Sequence, residues 1–275
     1  MKENNPPGPA LKFDHVSVAF DDKPALKDVS FEVPAGDTRI LLGAAGSGKT
    51  TVLKLALGLL KPDSGRVFVF GRNITEMQED QLFEVRSKIG MLFQESALFD
   101  SMTIEDNVAY PLLNQRAIQC SPEEALLRVK DALRFVELEG TLEKFPSELS
   151  GGMRRRVGVA RAVVTDPPLV LFDSPTAGLD PVTANTIVKL IVKQRDVKRT
   201  TTLLVTHRYK NGVLLANYHY EPEGDSLDPN RPPYQPPGKT EFMGFKEGKL
   251  IFVGAQPELE ATKDPYLSKF VKHNG

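Results

Sequence analysis

The sequence predicts an α/β fold with a parallel sheet, and three observations support that prediction. Strands of the buried type at 38–42, 169–172 and 201–205 alternate with helical segments, which is the pattern of parallel sheets. A glycine-rich turn lies directly between the first of these strands and a helical segment. The 275 residues, 40% of them hydrophobic, are enough to bury a sizeable core without disulfides.

Turn signals and periodicity divide the chain into elements. A polar, proline-rich tail at 1–10 is expected to be disordered, and a single domain is predicted at 11–275. The predicted strands are 13–20, 28–33, 38–42, 66–70, 89–93, 169–172 and 201–205. The predicted helices are 49–60, most of 103–165, and 181–195. Six prolines within 221–240 predict an exposed excursion or flexible loop, and a hairpin at 241–253 and a short helical tail follow it.

Composition excludes several classes of protein. Thirty-five Lys and Arg residues balance thirty-six Asp and Glu residues, so the basic excess of a nucleic-acid-binding chain is absent. A single cysteine, Cys120, excludes an intramolecular disulfide framework and fits a reducing compartment. The sequence has neither a membrane-spanning apolar run nor an apolar signal core at its N-terminus. We therefore expect a cytosolic chain whose membrane role, if it has one, comes through a partner.

A phosphate-binding loop is the strongest motif in the sequence. Segment 43–50 reads GAAGSGKT and fits the pattern G-x-x-x-x-G-K-[ST]. Glycines let backbone N–H groups point at a triphosphate, and the following helix adds its positive N-terminus. Lys49 can reach the β- and γ-phosphates, and the Thr50 hydroxyl can ligate Mg²⁺. The predicted nucleotide-binding residues here are Gly43, Ala44, Ala45, Gly46, Ser47, Gly48, Lys49, Thr50 and Thr51.

A second acid follows at the end of another buried strand. The run 169–172 is apolar, and Asp173 comes directly after it. A carboxylate at a strand end can hold the water shell of a magnesium ion. An Asp after an apolar strand is usually only the end of the strand, but the presence of Lys49 and Thr50 favours the metal role.

Segment 149–153 reads LSGGM and precedes a helix; together with the phosphate loop it resembles an ABC-transporter ATPase subunit. The resemblance covers about 11–215 and 241–270. It implies a P-loop NTPase (RecA-like) core with an antiparallel β subdomain and a helical signature subdomain at about 95–165. Ser150 is a good N-cap, and Gly151 and Gly152 leave backbone N–H groups open to an anion. In this family that segment faces the γ-phosphate held by a second subunit, so two chains enclose two ATP molecules.

The resemblance also implies roles for single residues. Gln94 matches the glutamine that senses magnesium and the attacking water, and His207 matches the histidine that contacts the γ-phosphate. Phe20 matches the aromatic residue that stacks on adenine, although a buried strand residue is the alternative. Segment 177–180 matches the loop that crosses the dimer interface. The implied cofactors are ATP and Mg²⁺, with Thr50, Gln94 and Asp173 at the metal.

Two further segments narrow the resemblance. Met153 is the fifth residue of the signature segment, and three arginines follow it. Segments 93–103 and 107–112 resemble the corresponding parts of the ATPases of Mce-type (Mla-like) lipid transporters. This implies a homodimer on the inner face of the cell membrane, driving an integral-membrane permease and working with an MCE-type lipid-binding protein. The permease is expected near 94–103, where Leu98, Phe99 and Met102 either line a groove or belong to the core. The basic run 154–156 is interpreted as a solvated or interface helix face, and no nucleic-acid partner is expected.

One position departs from the family pattern. Ser174 stands where the family has the glutamate that polarises the attacking water. A serine hydroxyl can orient water but cannot act as that base at neutral pH. Three accounts compete: a slow homodimer in which His207 and Gln94 place the water, a chain that pairs with a different ATPase, and an engineered trap that holds ATP. We favour the first; a non-transport ABC ATPase and a regulatory nucleotide-binding subunit remain alternatives for the whole chain.

Overall fold

The structure of the protein is a computed structural model that describes residues 8–115, 117–229 and 238–273. The strands in chain order are β1 Leu11–Phe20, β2 Lys23–Val33, β3 Thr38–Leu42, β4 Ser64–Val69, β5 Arg72–Asn73, β6 Ile89–Leu92, β7 Leu169–Asp173, β8 Thr201–Val205, β9 His219–Glu221, β10 Ser226–Asp228, β11 Thr240–Lys246 and β12 Lys249–Gly254. The helices are α1 Lys49–Ala56, α2 Glu79–Arg86, α3 Ile104–Asn114, α4 Pro122–Phe135, α5 Gly151–Val163, α6 Pro181–Lys198, α7 Tyr209–Asn217, α8 Gln256–Glu260 and α9 Pro265–His273. Within these ranges no helix is long and apolar enough to span a membrane.

A six-stranded sheet in the order β12-β11-β3-β8-β7-β6 forms the centre of the protein. The five strands from β11 to β6 are parallel, and β12 pairs antiparallel with β11. The carboxyl ends of parallel strands meet at one edge of a sheet, where ligands bind in open α/β folds. Gln94, Asp173 and His207 all lie at or just beyond such strand ends. The predicted α/β fold is therefore confirmed, and its topology places these residues at one edge.

A second, antiparallel sheet in the order β2-β1-β4-β5 covers the phosphate-loop helix. Its inward side chains share one core cluster with α1 and with one face of the central sheet. Phe13 of β1, Val52 of α1 and Phe245 of β11 are all buried in that cluster. The alternating burial of β1 produces this packing, since every second side chain points inward. This is the predicted antiparallel β subdomain.

Helices α3, α4 and α5 pack together as the predicted helical subdomain. Val108, Val129 and Val157, one from each helix, are fully buried in a core cluster that continues onto the other face of the central sheet. Thr103 and Ser121 cap α3 and α4, each accepting a hydrogen bond from the backbone N–H three residues later. The signature segment therefore begins α5 on a subdomain whose buried core continues into that of the central sheet.

Several element boundaries differ from the sequence prediction. Helix α1 ends at Ala56 rather than at residue 60, because Gly58 adopts a left-handed φ of +63° and directs the chain out of the helix. Helix α2 was not predicted, since it has eight residues of which only Leu82 and Val85 are buried. At the N-terminus, Ala10 is buried and accepts a hydrogen bond from Phe70, and residues 1–7 of the predicted disordered tail lie outside the described residues.

The proline-rich stretch 221–240 begins as a hairpin rather than as an irregular loop. Strands β9 and β10 pair antiparallel, with Ser226 opposite Glu221. The hairpin is tied to α6 by ion pairs from Lys189 at 2.6 Å and Lys193 at 3.2 Å to the carboxylate of Asp225. These long-range contacts stabilise strands of three residues, which local sequence alone would not. Residues 230–237 of the predicted excursion lie outside the described residues.

Candidate nucleotide-binding site

The phosphate loop runs between β3 and α1 and passes close to backbone atoms of two other strands. Gly48 has a φ of +103°, and a Cβ atom there would lie 2.5 Å from the carbonyl oxygen of Ala25. A Cβ on Gly43 would collide with the carbonyl oxygen of Phe245. Only glycine meets both the steric and the conformational requirement at these positions. The loop is thus a cradle whose glycines are needed for its shape.

Lys49 lies at the centre of this cradle. Its side chain is 4% exposed, and its ammonium donates to the carbonyls of Gly43 and Ala44 at 2.8 Å each and to Ser47 Oγ at 3.0 Å. Burial lowers the pKa of Lys49 to about 8, although the nearby carboxylate of Asp173 opposes this shift. The loop therefore holds a desolvated cation beside exposed backbone, which is an arrangement suited to binding an anion.

The remaining loop residues face the outside. Ala44, Ala45, Gly46 and Thr50 are exposed, and Thr51 is half-buried in the first turn of α1. That first turn carries no acidic residue. The positive end of the α1 dipole is therefore not neutralised by an acidic side chain of the helix itself, which favours a phosphate there.

Asp173 and Ser174 lie side by side where β7 ends. Asp173 is 4% exposed and Ser174 is 5% exposed. The Ser174 hydroxyl donates to Asp173 Oδ1 at 3.2 Å, and its backbone N–H donates to the carbonyl of Val205 at 2.9 Å. Ser174 has a φ of +48°, a left-handed conformation that a residue with a Cβ adopts at some cost. The backbone thus fixes the serine at the position that the family pattern gives to a carboxylate.

His207 joins the phosphate loop through its ring. Its Nδ1 lies 3.1 Å from the carbonyl oxygen of Gly43. A carbonyl oxygen only accepts, so Nδ1 must carry the hydrogen of this bond, and the proton acceptor of the neutral ring is then Nε2. Gly43 O is therefore shared between His207 and Lys49.

Gln94 is held through its backbone by a residue that the motif comparison did not single out. Arg155 of α5 donates to the carbonyl of Gln94, to that of Phe93 at 3.3 Å and to that of Ala177 at 3.4 Å. Arg155 is 7% exposed, and its burial lowers the pKa of the guanidinium. For Arg155 the solvated alternative for 154–156 is wrong, because this side chain is buried and donates to backbone carbonyls. Arg154 is exposed, as a solvated face would have it.

The signature segment lies at the start of α5, on the helical subdomain. Ser150 caps the helix, its Oγ accepting from the Met153 N–H at 3.2 Å, as the sequence predicted. Ser150 and Gly151 are exposed. A Cβ on Gly152 would lie 2.5 Å from Thr183 Cγ2 at the start of α6, so this glycine permits close packing of two helix ends. Exposed N–H groups thus begin α5 on the surface of the chain.

Phe20 ends β1 and is 46% exposed. The alternative that it is a buried strand residue is therefore wrong. Asp21 and Asp22 follow it with left-handed φ values of +47° and +61° and turn the chain into β2. The ring stands at the rim of the antiparallel sheet, where a flat ligand can stack on it.

The donor set fits a nucleotide carried with magnesium. Within the described ranges there is no cluster of three or more His, Cys, Asp and Glu side chains that could hold a metal alone. Mg²⁺ is usually held by one or two carboxylates together with substrate phosphates, and oxygen ligands are what it prefers. Asp173 supplies such a carboxylate, and Thr50 an exposed hydroxyl. The glycine cradle leaves space for the phosphates that would complete the site.

A comparison with protein families shows to which family the chain belongs. A family model described as ABC transporter matches residues 26–177, more than half of the chain. The chain belongs to the ABC transporter family. The segment it matches contains the phosphate loop, the signature segment and Asp173. The resemblance inferred from the motifs is thereby confirmed.

Relatives within the ABC transporter family are similar over most of the chain. The probable ribonucleotide transport ATP-binding protein mkl of Mycobacterium leprae is 40% identical over 204 residues, which are 74% of this chain and 58% of that protein. The chain thus spans little more than half the length of the mycobacterial relative. The intermembrane phospholipid transport system ATP-binding protein MlaF of Escherichia coli K12 is 37% identical over 256 residues, which are 93% of this chain and 86% of MlaF.

Solved ABC cassettes share the fold. A dimeric post-hydrolysis structure of the ATP-binding cassette MJ0796, bound to ADP and Pi, has a TM-score of 0.74 and 28% identity, covering 89% of this chain and 97% of that one. The predicted P-loop NTPase fold with its two subdomains is therefore confirmed. Two features of this ABC chain were not accessible to motif analysis: the carbonyl contacts of Arg155 and the contacts that tie the C-terminal helix to the phosphate loop, since both join residues far apart in sequence.

Proposed function

We propose that this chain binds and hydrolyses ATP as one of two ATPase subunits of a transporter that moves lipid across a bacterial envelope. The observation that carries the proposal is the Lys49 cradle: a buried ammonium held by two loop carbonyls beside exposed loop residues. On ATP binding, phosphate oxygens replace some of the acceptors of the Lys49 ammonium and favour its charged form. The nucleotide-binding residues are Gly43, Ala44, Ala45, Gly46, Ser47, Gly48, Lys49, Thr50 and Thr51, with Phe20 under adenine.

Thr50, Gln94 and Asp173 would hold the magnesium ion. When bound, Mg²⁺ offsets the negative charge that builds on the phosphates during transfer. The chain's own contribution is to fix the donors: Asp173 is buried at the end of β7, and Arg155 holds the backbone of Gln94.

A second subunit completes each site. Ser150, Gly151 and Gly152 begin α5 on the surface, and the first two of these are exposed. An exposed helix start with open N–H groups binds an anion. The related cassette MJ0796 is dimeric with ADP and Pi bound. These observations support a homodimer in which the signature segment of each chain contacts the γ-phosphate held by the other.

Water activation is the weak step of the proposed reaction. Ser174 donates to Asp173 and cannot accept the proton of an attacking water at neutral pH. His207 is the remaining candidate: its Nδ1 donates to the carbonyl of Gly43, which leaves Nε2 as the ring nitrogen able to accept a proton. Turnover is accordingly slow. Ser174 also favours a second candidate function, a nucleotide-binding subunit that pairs with a different ATPase carrying the missing base.

The transport role rests on relatives and on one exposed surface. MlaF belongs by name to a phospholipid transport system. Phe99, Tyr110 and Leu113 are exposed, and the rings of the first two lie 4.8 Å apart. Leu98 is half-buried against the core, so it contributes less to this surface. We place the integral-membrane permease here, next to 94–103, and an MCE-type lipid-binding protein beyond it, with the ATPase pair on the inner face of the membrane.

Nucleotide binding and steady-state Mg-ATPase activity of the purified chain test the proposal. Lys49→Ala removes the buried ammonium, and we expect ATP affinity to fall about 100-fold or more, since charged hydrogen bonds to phosphate are among the strongest. Lys54→Ala is the matched control, because Lys54 is an exposed lysine on the same helix. Equal affinity in the parent and in Lys49→Ala would refute the proposal. Binding without turnover above the Lys49→Ala background would favour the paired-subunit alternative.

A further inference from the structure

The hydroxyl group of Tyr266 connects the C-terminal helix to the phosphate loop. Tyr266 of α9 accepts a hydrogen bond from the Ala44 N–H at 2.8 Å, across 222 residues of sequence. The same hydroxyl donates to the carbonyl of Phe245 in β11, also at 2.8 Å. Tyr266 thus bridges the loop and the strand against which the loop is packed.

This bridge fixes one peptide unit of the loop from both sides. The peptide between Gly43 and Ala44 presents its N–H to Tyr266. Its carbonyl oxygen accepts from Lys49 Nζ at 2.8 Å and from His207 Nδ1 at 3.1 Å. Because the peptide is planar, the direction of the N–H sets the direction of the carbonyl. Tyr266 therefore helps to place the acceptor that holds Lys49 and His207.

Tyr266 is held in place by contacts of its backbone, its helix and its ring. Asp264 Oδ1 accepts from the backbone N–H groups of Tyr266 at 2.8 Å and Leu267 at 2.9 Å, which caps the start of α9. Leu267 is 2% exposed, and it packs so closely on Gly244 that a Cβ there would lie 2.6 Å from its Cδ2 atom. The ring of Phe270 meets the Tyr266 ring edge-on at 5.3 Å. The hydroxyl is thus placed before any nucleotide arrives.

From these contacts we infer that Tyr266 is a positioning residue for the nucleotide site: it holds the phosphate loop in its binding conformation and couples that conformation to the docking of α9. The expected effect on nucleotide binding rests on the proposed ATP site. The tether, meaning the hydrogen bonds of the Tyr266 hydroxyl to Ala44 and Phe245, does not depend on that proposal. Coupling between two sites is reciprocal, so a nucleotide that needs the tethered loop also stabilises the docked helix.

Tyr266→Phe removes the hydroxyl and keeps the ring with its contacts to Phe270 and α9. In the nucleotide-free protein we expect hydrogen exchange at the Ala44 amide to accelerate about tenfold, because its acceptor is gone. The dissociation constant of a fluorescent ATP analogue with Mg²⁺ should rise about fivefold, because the loss of one hydrogen bond changes an equilibrium constant by about that factor. ATP should slow amide exchange in α9 of the parent and do so less in the variant.

Two tyrosine variants serve as controls. Tyr220→Phe removes a hydroxyl that donates to Asp225 on the β9–β10 hairpin, so it matches the chemical change at a different surface. Tyr209→Phe removes the bond to Glu260 at 2.7 Å, which ties α8 to α7 in the segment just before α9. Neither control should change Ala44 exchange or ATP affinity, whereas thermal midpoints should be similar in all three variants.

The outcomes separate the tether from the proposed function. Unchanged Ala44 exchange in Tyr266→Phe overturns the inference, and so does an equal effect of Tyr209→Phe, which would mean that general docking of the tail is responsible. Faster Ala44 exchange with unchanged ATP affinity also overturns it, because the loop would then need no positioning. If the parent chain itself binds no ATP, the proposed function fails and the coupling to nucleotide fails with it, while the exchange result still decides the tether.

Discussion

Restoring a carboxylate at position 174 is the sharpest test of how this site works. Ser174 is 5% exposed, and its hydroxyl donates to Asp173, so a longer side chain there projects into the same buried corner. Ser174 already adopts a left-handed backbone with a φ of +48°, which is strained for any residue with a Cβ. Because glutamate also has a Cβ, the substitution adds no new backbone strain. Ser174→Glu therefore changes the chemistry of the position more than its conformation.

The size of the effect follows from the role that is missing. General-base catalysis contributes about 10²–10⁴-fold to rate. Because His207 already offers one acceptor near the phosphates, we expect the lower end, a rise in kcat of about 100-fold, which corresponds to about 2.7 kcal/mol of activation free energy.

Steady-state release of phosphate from Mg-ATP provides the assay, with Lys49→Ala as the background. Ser174→Gln is the matched control, since it has nearly the shape of glutamate and no basic oxygen. Activity should rise in the Glu variant and remain at the parent level in the Gln variant. Equal rates for the Glu and Gln variants, both folded and both binding ATP, would refute the missing-base argument.

Other predictions concern charge, packing and the partner surface. Burial lowers the pKa of Lys49 to about 8, so above that pH the unfolded state binds more protons than the folded state. The free energy of unfolding of the parent should therefore rise by about 2 kcal/mol relative to that of Lys49→Met between about pH 7 and 9.5. Urea titrations at the two pH values measure this difference. Arg155→Met should lower the free energy of unfolding by about 2–3 kcal/mol, because the carbonyls of Gln94 and Ala177 lose a buried donor; the same titrations measure it. Leu113→Arg should abolish co-purification with a membrane permease while ATP affinity is retained, since Leu113 is 52% exposed and lies on the proposed contact surface.

Several candidate residues of the nucleotide site could be predicted because the phosphate loop, Gln94, Asp173 and His207 each lie at or just after the end of a recognisable strand. Strands β3 and β8 have the predicted bounds, and the candidates after them lie at one sheet edge for topological reasons. The glycines of the loop are recognisable for the same reason: Gly43 and Gly48 are required by collisions that any Cβ would cause. Local pattern and global fold agree at these positions, which makes them predictable.

The features that escaped prediction depend on distant contacts. The β9–β10 hairpin depends on ion pairs from α6 to Asp225, more than thirty residues away in sequence. Arg155 lies in a basic run that resembles a solvated surface until the carbonyls of Gln94 and Ala177 are placed beside it. Tyr266 shows no motif, since its partner Ala44 lies at the other end of the chain. A pattern within a short window contains no information about such pairs.

The serine at 174 also changes the charge balance of the site, and this has a consequence for affinity. Both Lys49 and Arg155 interact electrostatically with Asp173, and Arg155 also interacts with Glu95, so two carboxylates already face these two cations. A further negative charge in a site of low dielectric disfavours a polyanion. Ser174→Glu adds such a charge next to Asp173. We therefore expect the Glu variant to bind Mg-ATP several-fold more weakly than Ser174→Gln while turning it over faster, as fluorescence titration of the two variants will measure. Tighter binding by the Glu variant would show that the added carboxylate does not repel the nucleotide.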